Sequence, residues 1–176
     1  MSKPPLGLLQ RLRALVLKGD FEKVKDQLEG AQPYDVAWTL SRFPVEERLQ
    51  MLAQLAPDKG AQVFQELPLA LQTELLKMGG RPAALVSIFQ YLDSDEAADV
   101  LGTLDSDEKD RWLATLPSQG KTAAQSLLAY PADTAGGLMA KEYVSVPVHM
   151  TAGEVARRLQ AIASSFEHLK VTYVYV

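Results

Sequence analysis

Cysteine is absent from this 176-residue chain, and histidine occurs only twice. Without thiols there is no disulfide framework and no thiolate metal centre, a composition that fits a cytosolic setting. His149 and His168 have no serine or cysteine nucleophile motif near them, so the sequence assembles no nucleophile–base–orienter set and reads as a non-enzyme. Gly136-Gly137 lacks the flanking glycines and the lysine of a phosphate loop. Basic charge is in deficit, with 18 Lys and Arg against 22 Asp and Glu. A net charge of −4 gives a nucleic-acid partner no electrostatic support. No apolar run approaches the ~18–20 residues of a membrane span, and the first residues lack a signal peptide's apolar segment. The chain as it stands is therefore expected to be soluble.

What is present is an ordinary globular composition, 47% hydrophobic and 23% charged, with enough apolar material for a core. Leu8, Leu9, Leu12, Leu15 and Val16 form a helical stripe that Gly19 stops. Asp20 is placed to cap a second helix carrying Phe21, Val24 and Leu28 on one face, ending at Gly30. A repeat follows. Phe43, Leu55 and Leu67 are twelve residues apart, and Leu92, Leu104, Leu116 and Leu128 are again twelve apart. Each is followed by a proline or an Asp-Ser pair, residues that start helices. Such short helices cannot bury a face alone and are expected to stack on their neighbours. Gly79, Gly80 and Pro82 fall in the break between the two series, where a longer turn is expected. Trp38 and Trp112 sit at helical apolar positions and are expected in the core, with Leu92, Leu104 and Leu116 inside the stack.

The pattern changes at Tyr130–Pro147. Pro131 blocks continuation of a helix, and Gly136-Gly137 marks a turn where a Cβ is unwelcome. Residues 142–146 alternate as a strand does. Thr151 and Glu154 have the spacing of a capping box ahead of a helix with Val155, Leu159 and Ile162 on one face. Residues 171–176 read as a second strand. One strand–helix–strand is too small to form a sheet with a covered face, so this part reads as half a domain. Its last strand is expected to pair with another chain, swap, or remain unordered.

Between Asp93 and Asp110 the chain carries eight carboxylates and a single lysine, Lys109. Asp95 and Asp99 are four apart and share a helix face. Two hard oxygen donors suit a hydrated Mg²⁺, which keeps several waters and takes one or two carboxylates. The same acids also complement a helix N-terminus as solvated charge. The residues alone leave both readings open.

The run Tyr130, Pro131, Asp133, Thr134, Ala135, Gly136, Leu138, Met139, Glu142, Tyr143 and Val144 resembles the junction of MgtE-type magnesium transporters. The preceding segment, with Leu92, Asp93, Ser94, Asp95, Glu96, Asp99 and Leu101, is similar to that family's N domain. Residues 171–176 look like the second strand of its first CBS motif. The resemblance implies a mainly α fold, a right-handed superhelical stack of short helices followed by an incomplete β-α-β CBS fragment. It implies a helical domain at 1–129, a junction at 130–142 and a truncated CBS motif at 143–176. It further implies a cytosolic magnesium-sensing fragment of a homodimeric channel, on the cytoplasmic face of the inner membrane. Its partners are then its own CBS and transmembrane domains. Mg²⁺ is the implied regulatory ligand, bound weakly through Asp95 and Asp99 and bridging acidic faces to close the pore. Gln62 departs from the acid that the family often has at that position. The competing expectation is a soluble CBS-containing adaptor with no membrane part.

Overall fold

The computed structural model describes residues 6–78, 82–130, 134, 136, 144–162 and 174–175. Helix α1 (Leu6–Lys18) buries Leu8, Leu9 and Leu12. It ends in a left-handed Gly19, φ 68°. The Asp20 N–H reaches the Leu15 carbonyl and the Gly19 N–H that of Val16, which is the Schellman closure that glycine permits. Asp20 then caps α2 (Phe21–Glu29), its carboxylate accepting the Lys23 N–H and ion-pairing with the Lys23 ammonium.

Eight more short helices follow: α3 (Pro33–Leu40), α4 (Val45–Leu52), α5 (Pro57–Gln65), α6 (Leu69–Lys77), α7 (Ala83–Phe89), α8 (Ser94–Gly102), α9 (Ser106–Leu113) and α10 (Ser118–Leu127). All are shorter than an isolated helix needs to persist in water. They are held by stacking each on the helix after next. The pairs α1–α3, α3–α5 and α5–α7 form one row, and α2–α4, α4–α6, α6–α8 and α8–α10 the other. The core between the rows is continuous from Leu8 to Ala124.

The twelve-residue anchors have a shared structural meaning. Phe43, Leu55, Leu67, Leu92, Leu104 and Leu116 each donate a main-chain N–H to the residue three back, tightening the last turn of a helix. The residues three back, among them Leu40, Leu52, Phe64, Phe89, Leu101 and Leu113, are all buried. Each anchor thus folds under its helix end before a proline or aspartate opens the next helix. Pro44, Pro68 and Pro117 occupy N-caps and Pro57 sits at N1, while Asp105 caps through its side chain to the Glu108 N–H.

The break between Leu67 and Leu92 holds two helices, α6 and α7, and the turn expected between them falls on Gly79 and Gly80, which lie outside the described residues. Met78 makes the same three-back hydrogen bond there, to Leu75, and serves as the missing anchor. Leu104 and Trp112 are buried as expected, but Leu92 and Leu116 are only half-buried against the core. Trp38 is also half-buried, with the Arg42 guanidinium stacked 3.4 Å over its ring.

Helix C-termini leave carbonyls without partners, and here donors from other helices supply them. Arg48 of α4 is buried and donates to the Leu40 carbonyl at 3.3 Å, the Phe43 carbonyl at 3.0 Å and the Glu74 carboxylate at 2.8 Å. Gln72 of α6 donates to the Phe64, Gln65 and Leu67 carbonyls at the end of α5. The Trp112 indole donates to Leu76 at the end of α6 (3.1 Å), and Lys59 reaches the Glu29 carbonyl at the end of α2. Gly60 allows a close approach of α5 to α7, since a Cβ there would meet Ile88 at 2.7 Å.

Beyond the stack, β1 (Val144–Ser145), α11 (Ala152–Ile162) and β2 (Val174–Tyr175) form a β-α-β unit. The strands pair in parallel, Val144 with Val174 and Ser145 with Tyr175, so β2 has β1 as a partner within its own chain. The rest of the 171–176 strand lies outside the described residues. The capping box is present. Glu154 accepts from the Thr151 N–H and hydroxyl at 2.8 Å each, and the Glu154 N–H returns to the Thr151 oxygen at 3.4 Å. These bonds, the main-chain one foremost, hold the Glu154 carboxyl below its usual range.

A candidate cation-binding face on helix α8

The N-terminal part of α8 and its cap place four acids in three different settings. Asp93, extended at the N-cap, ends the preceding bend. The i, i+4 spacing sets Asp95 and Asp99 on one face, Asp95 half-buried and Asp99 exposed. Glu96 points the other way, toward α5. Its half-buried carboxylate accepts a hydrogen bond from the Gln65 side-chain amide.

The electrostatics follow from that placement. Burial, then the charges of Asp93 and Asp95, push the Glu96 carboxyl up to about 7, against the hydrogen bonds that favour its charged form. Asp99 is raised too, first by partial desolvation against the neighbouring wall and then by Asp95.

Two grooves meet at Asp99. One, of about 270 Å³, lies between α5, α6 and α8. Gln65, Gln72, Glu96 and Asp99 give it polar groups, and Phe64, Leu67 and Leu92 an apolar floor. The other, of about 500 Å³, runs from Asp99 and Thr103 past Lys109 to Leu127 and Tyr130. Leu69, 46% exposed, borders both.

Asp95 and Asp99 are thus brought onto one face as their spacing predicts. Among the described residues no three His, Cys, Asp or Glu side chains converge on a metal position. Gln62 is exposed on α5 and lines neither groove. His149 is exposed in a turn, and His168 lies outside the described residues. The residues that sequence reasoning missed are Glu96 and Gln65. Glu96 was one acid among eight, and its contact with a glutamine 31 positions earlier had no local signal.

The junction begins where the second groove ends. A Cβ on Gly136 would come within 2.7 Å of the Tyr130 ring, so the turn requires glycine for room. Gly137 lies outside the described residues.

Residues 31–133 match the family model described as the MgtE intracellular N domain. The chain belongs to that family. It is 31% identical over 167 residues to the magnesium transporter MgtE of Bacillus subtilis (strain 168), covering 95% of this chain and 37% of the relative. The chain thus spans little more than a third of that curated protein. A crystal structure of the cytosolic domain of the Mg²⁺ channel MgtE in complex with ATP superposes with a TM-score of 0.82 at 30% identity. That match covers 96% of this chain and 68% of the other. The soluble part of a magnesium transporter gives a TM-score of 0.75 at 20% identity, over 97% and 66% of the two chains, a likeness of fold. These MgtE relatives are transporter and channel parts rather than enzymes. No described helix of this chain is long and apolar enough to cross a membrane.

Proposed function

We propose that this chain is the magnesium-sensing cytosolic part of a magnesium transporter, and that Asp95 and Asp99 hold a hydrated Mg²⁺ that bridges α8 to a second acidic face. The observation that carries the reading is the placement of Asp95 and Asp99 on one face of α8. Bringing another acidic surface to this one costs roughly 1–4 kcal/mol per like-charge pair at ~4 Å. A divalent ion between the two reverses the sign. Two carboxylates on one face match the ligand set of Mg²⁺, which retains much of its water. The missing donors come from the partner face, so the isolated chain binds weakly.

The family membership of residues 31–133 and the length of the relative support a division into a helical sensor at 1–129, a junction at 130–142 and the start of a CBS motif at 143–176. In the full protein this sensor stands on the cytoplasmic side of a homodimeric membrane domain and closes its pore when magnesium is plentiful.

Magnesium-dependent protease protection of the full protein tests the assignment. Asp95→Asn with Asp99→Asn is expected to raise the protecting magnesium concentration by about fivefold or more, the low end of ordinary coupling energies. Superimposable protection curves would return both acids to the role of helix-terminal charge.

A further inference from the structure

We propose that the groove of about 270 Å³ between α5, α6 and α8 is a slot for an alkylammonium cation, a methylene stem ending in a primary amine. The groove is smaller than the ~300 Å³ at which pockets begin to take drug-sized ligands, so it suits a group the size of one side chain and is too small for a nucleotide.

The lining has two parts. Phe64, Leu67 and Leu92 give an apolar floor, and Gln65, Gln72, Glu96 and Asp99 give polar groups. None of the lining residues is a lysine or arginine. The amide donors are already engaged. The Gln72 nitrogen serves three main-chain carbonyls at 2.8, 2.9 and 3.3 Å, and this contact fixes which end of the amide is nitrogen. The Gln65 nitrogen is turned to the Glu96 carboxylate. What the groove offers a visitor is therefore rich in acceptors: two carboxylates and amide oxygens beside a hydrocarbon floor.

That combination selects among cations. Mg²⁺ keeps its water shell and gains nothing from an apolar floor. An ammonium on a flexible stem has three donors for the acceptors and methylenes for the floor. The same chemistry is found in a free polyamine and in a lysine side chain of a docking protein. The groove shares Asp99 with the proposed magnesium face but not Asp95, so Glu96 and Asp95 are the positions that separate the two readings.

Calorimetric titration of the chain at pH 8, in buffer stripped of divalent ions, tests it with cadaverine, N-acetyl-lysine methylamide and tetramethylammonium. The two primary amines are expected to bind and tetramethylammonium, which has the charge but no N–H donor, is not. Glu96→Gln should weaken the amines at least tenfold. Asp110→Asn removes the same charge from α9 outside the groove and should weaken them less than twofold. Asp95→Asn should likewise leave amine binding within twofold, so that this proposal and the magnesium assignment fail separately. Binding of N-acetyl-lysine methylamide as tight as that of cadaverine supports a protein lysine as occupant. Binding confined to cadaverine supports a free polyamine. No heat from either amine, equal weakening by Glu96→Gln and Asp110→Asn, or equal binding of tetramethylammonium would overturn the proposal.

Discussion

The helical stack and the β-α-β unit solve the burial problem differently. From Leu8 to Ala124 the helices hide their apolar stripes in one continuous core, and several helix ends receive donors from other helices. In α11 no described side chain is fully buried, and Val155 and Leu159 are only half-buried. The N-terminus of α11 is nonetheless well capped. Local capping chemistry can thus be complete where tertiary burial is not. Capping defines where a helix begins, while stability comes from what covers its apolar face.

The sharpest contrast is between large side chains in the two regions. Trp112→Ala removes a buried ring that packs against Phe89, centroids 5.2 Å apart, and also leaves the Leu76 carbonyl without its indole donor. A loss of about 3–5 kcal/mol is expected in urea denaturation. Leu159→Ala in α11 should cost well under ~1 kcal/mol in the same transition, since that side chain is only partly covered. Comparable losses would show that the two regions share one core.

A smaller effect tests the close packing of the rows. Gly60→Ala forces a methyl group against Ile88 and is expected to destabilise by about 1–3 kcal/mol. Ile88→Val in the same chain should recover part of that loss. Gly153→Ala in α11, where a Cβ meets nothing within 4 Å, is expected to be neutral or slightly stabilising.

The smallest expected effect is electrostatic. Because the folded-state carboxyl of Glu96 is raised to about 7 from an ordinary 4.5, the folded protein holds a proton there that the unfolded chain releases. The stability associated with that proton is complete below about pH 4.5 and is lost as pH rises through about 7. Glu96→Gln should therefore be near-neutral at pH 4 and stabilising by roughly 1 kcal/mol at pH 8, a value discounted for the group's partial exposure. Thermal melts at the two pH values check the sign. A gain at pH 4 as large as at pH 8 would mean that the carboxyl is not the cause.

Much of the stack was legible because its signals are local. The α1 stripe, the Asp20 cap, the Thr151–Glu154 box and the anchors ahead of prolines or aspartates all act within a few residues. The anchor within the α6–α7 break had no periodic signal, because Met78 stands eleven residues after Leu67 and fourteen before Leu92, outside the period, and is not a leucine. The candidate site divides in the same way. Asp95 and Asp99 were found because helical spacing alone brings them together.

The residues by themselves determined where helices start and stop, which faces are apolar and where the chain changes architecture, since caps, prolines and periodicity work over one or two turns. The tertiary structure decided which polar groups meet. Arg48 with Glu74, Trp112 with Leu76 and Glu96 with Gln65 are joined across 26, 36 and 31 positions. It also decided that Glu96 and Asp99 are partly withdrawn from water. That withdrawal depends on what packs over a carboxylate, which belongs to the assembled rows of helices and to no single stretch of the chain.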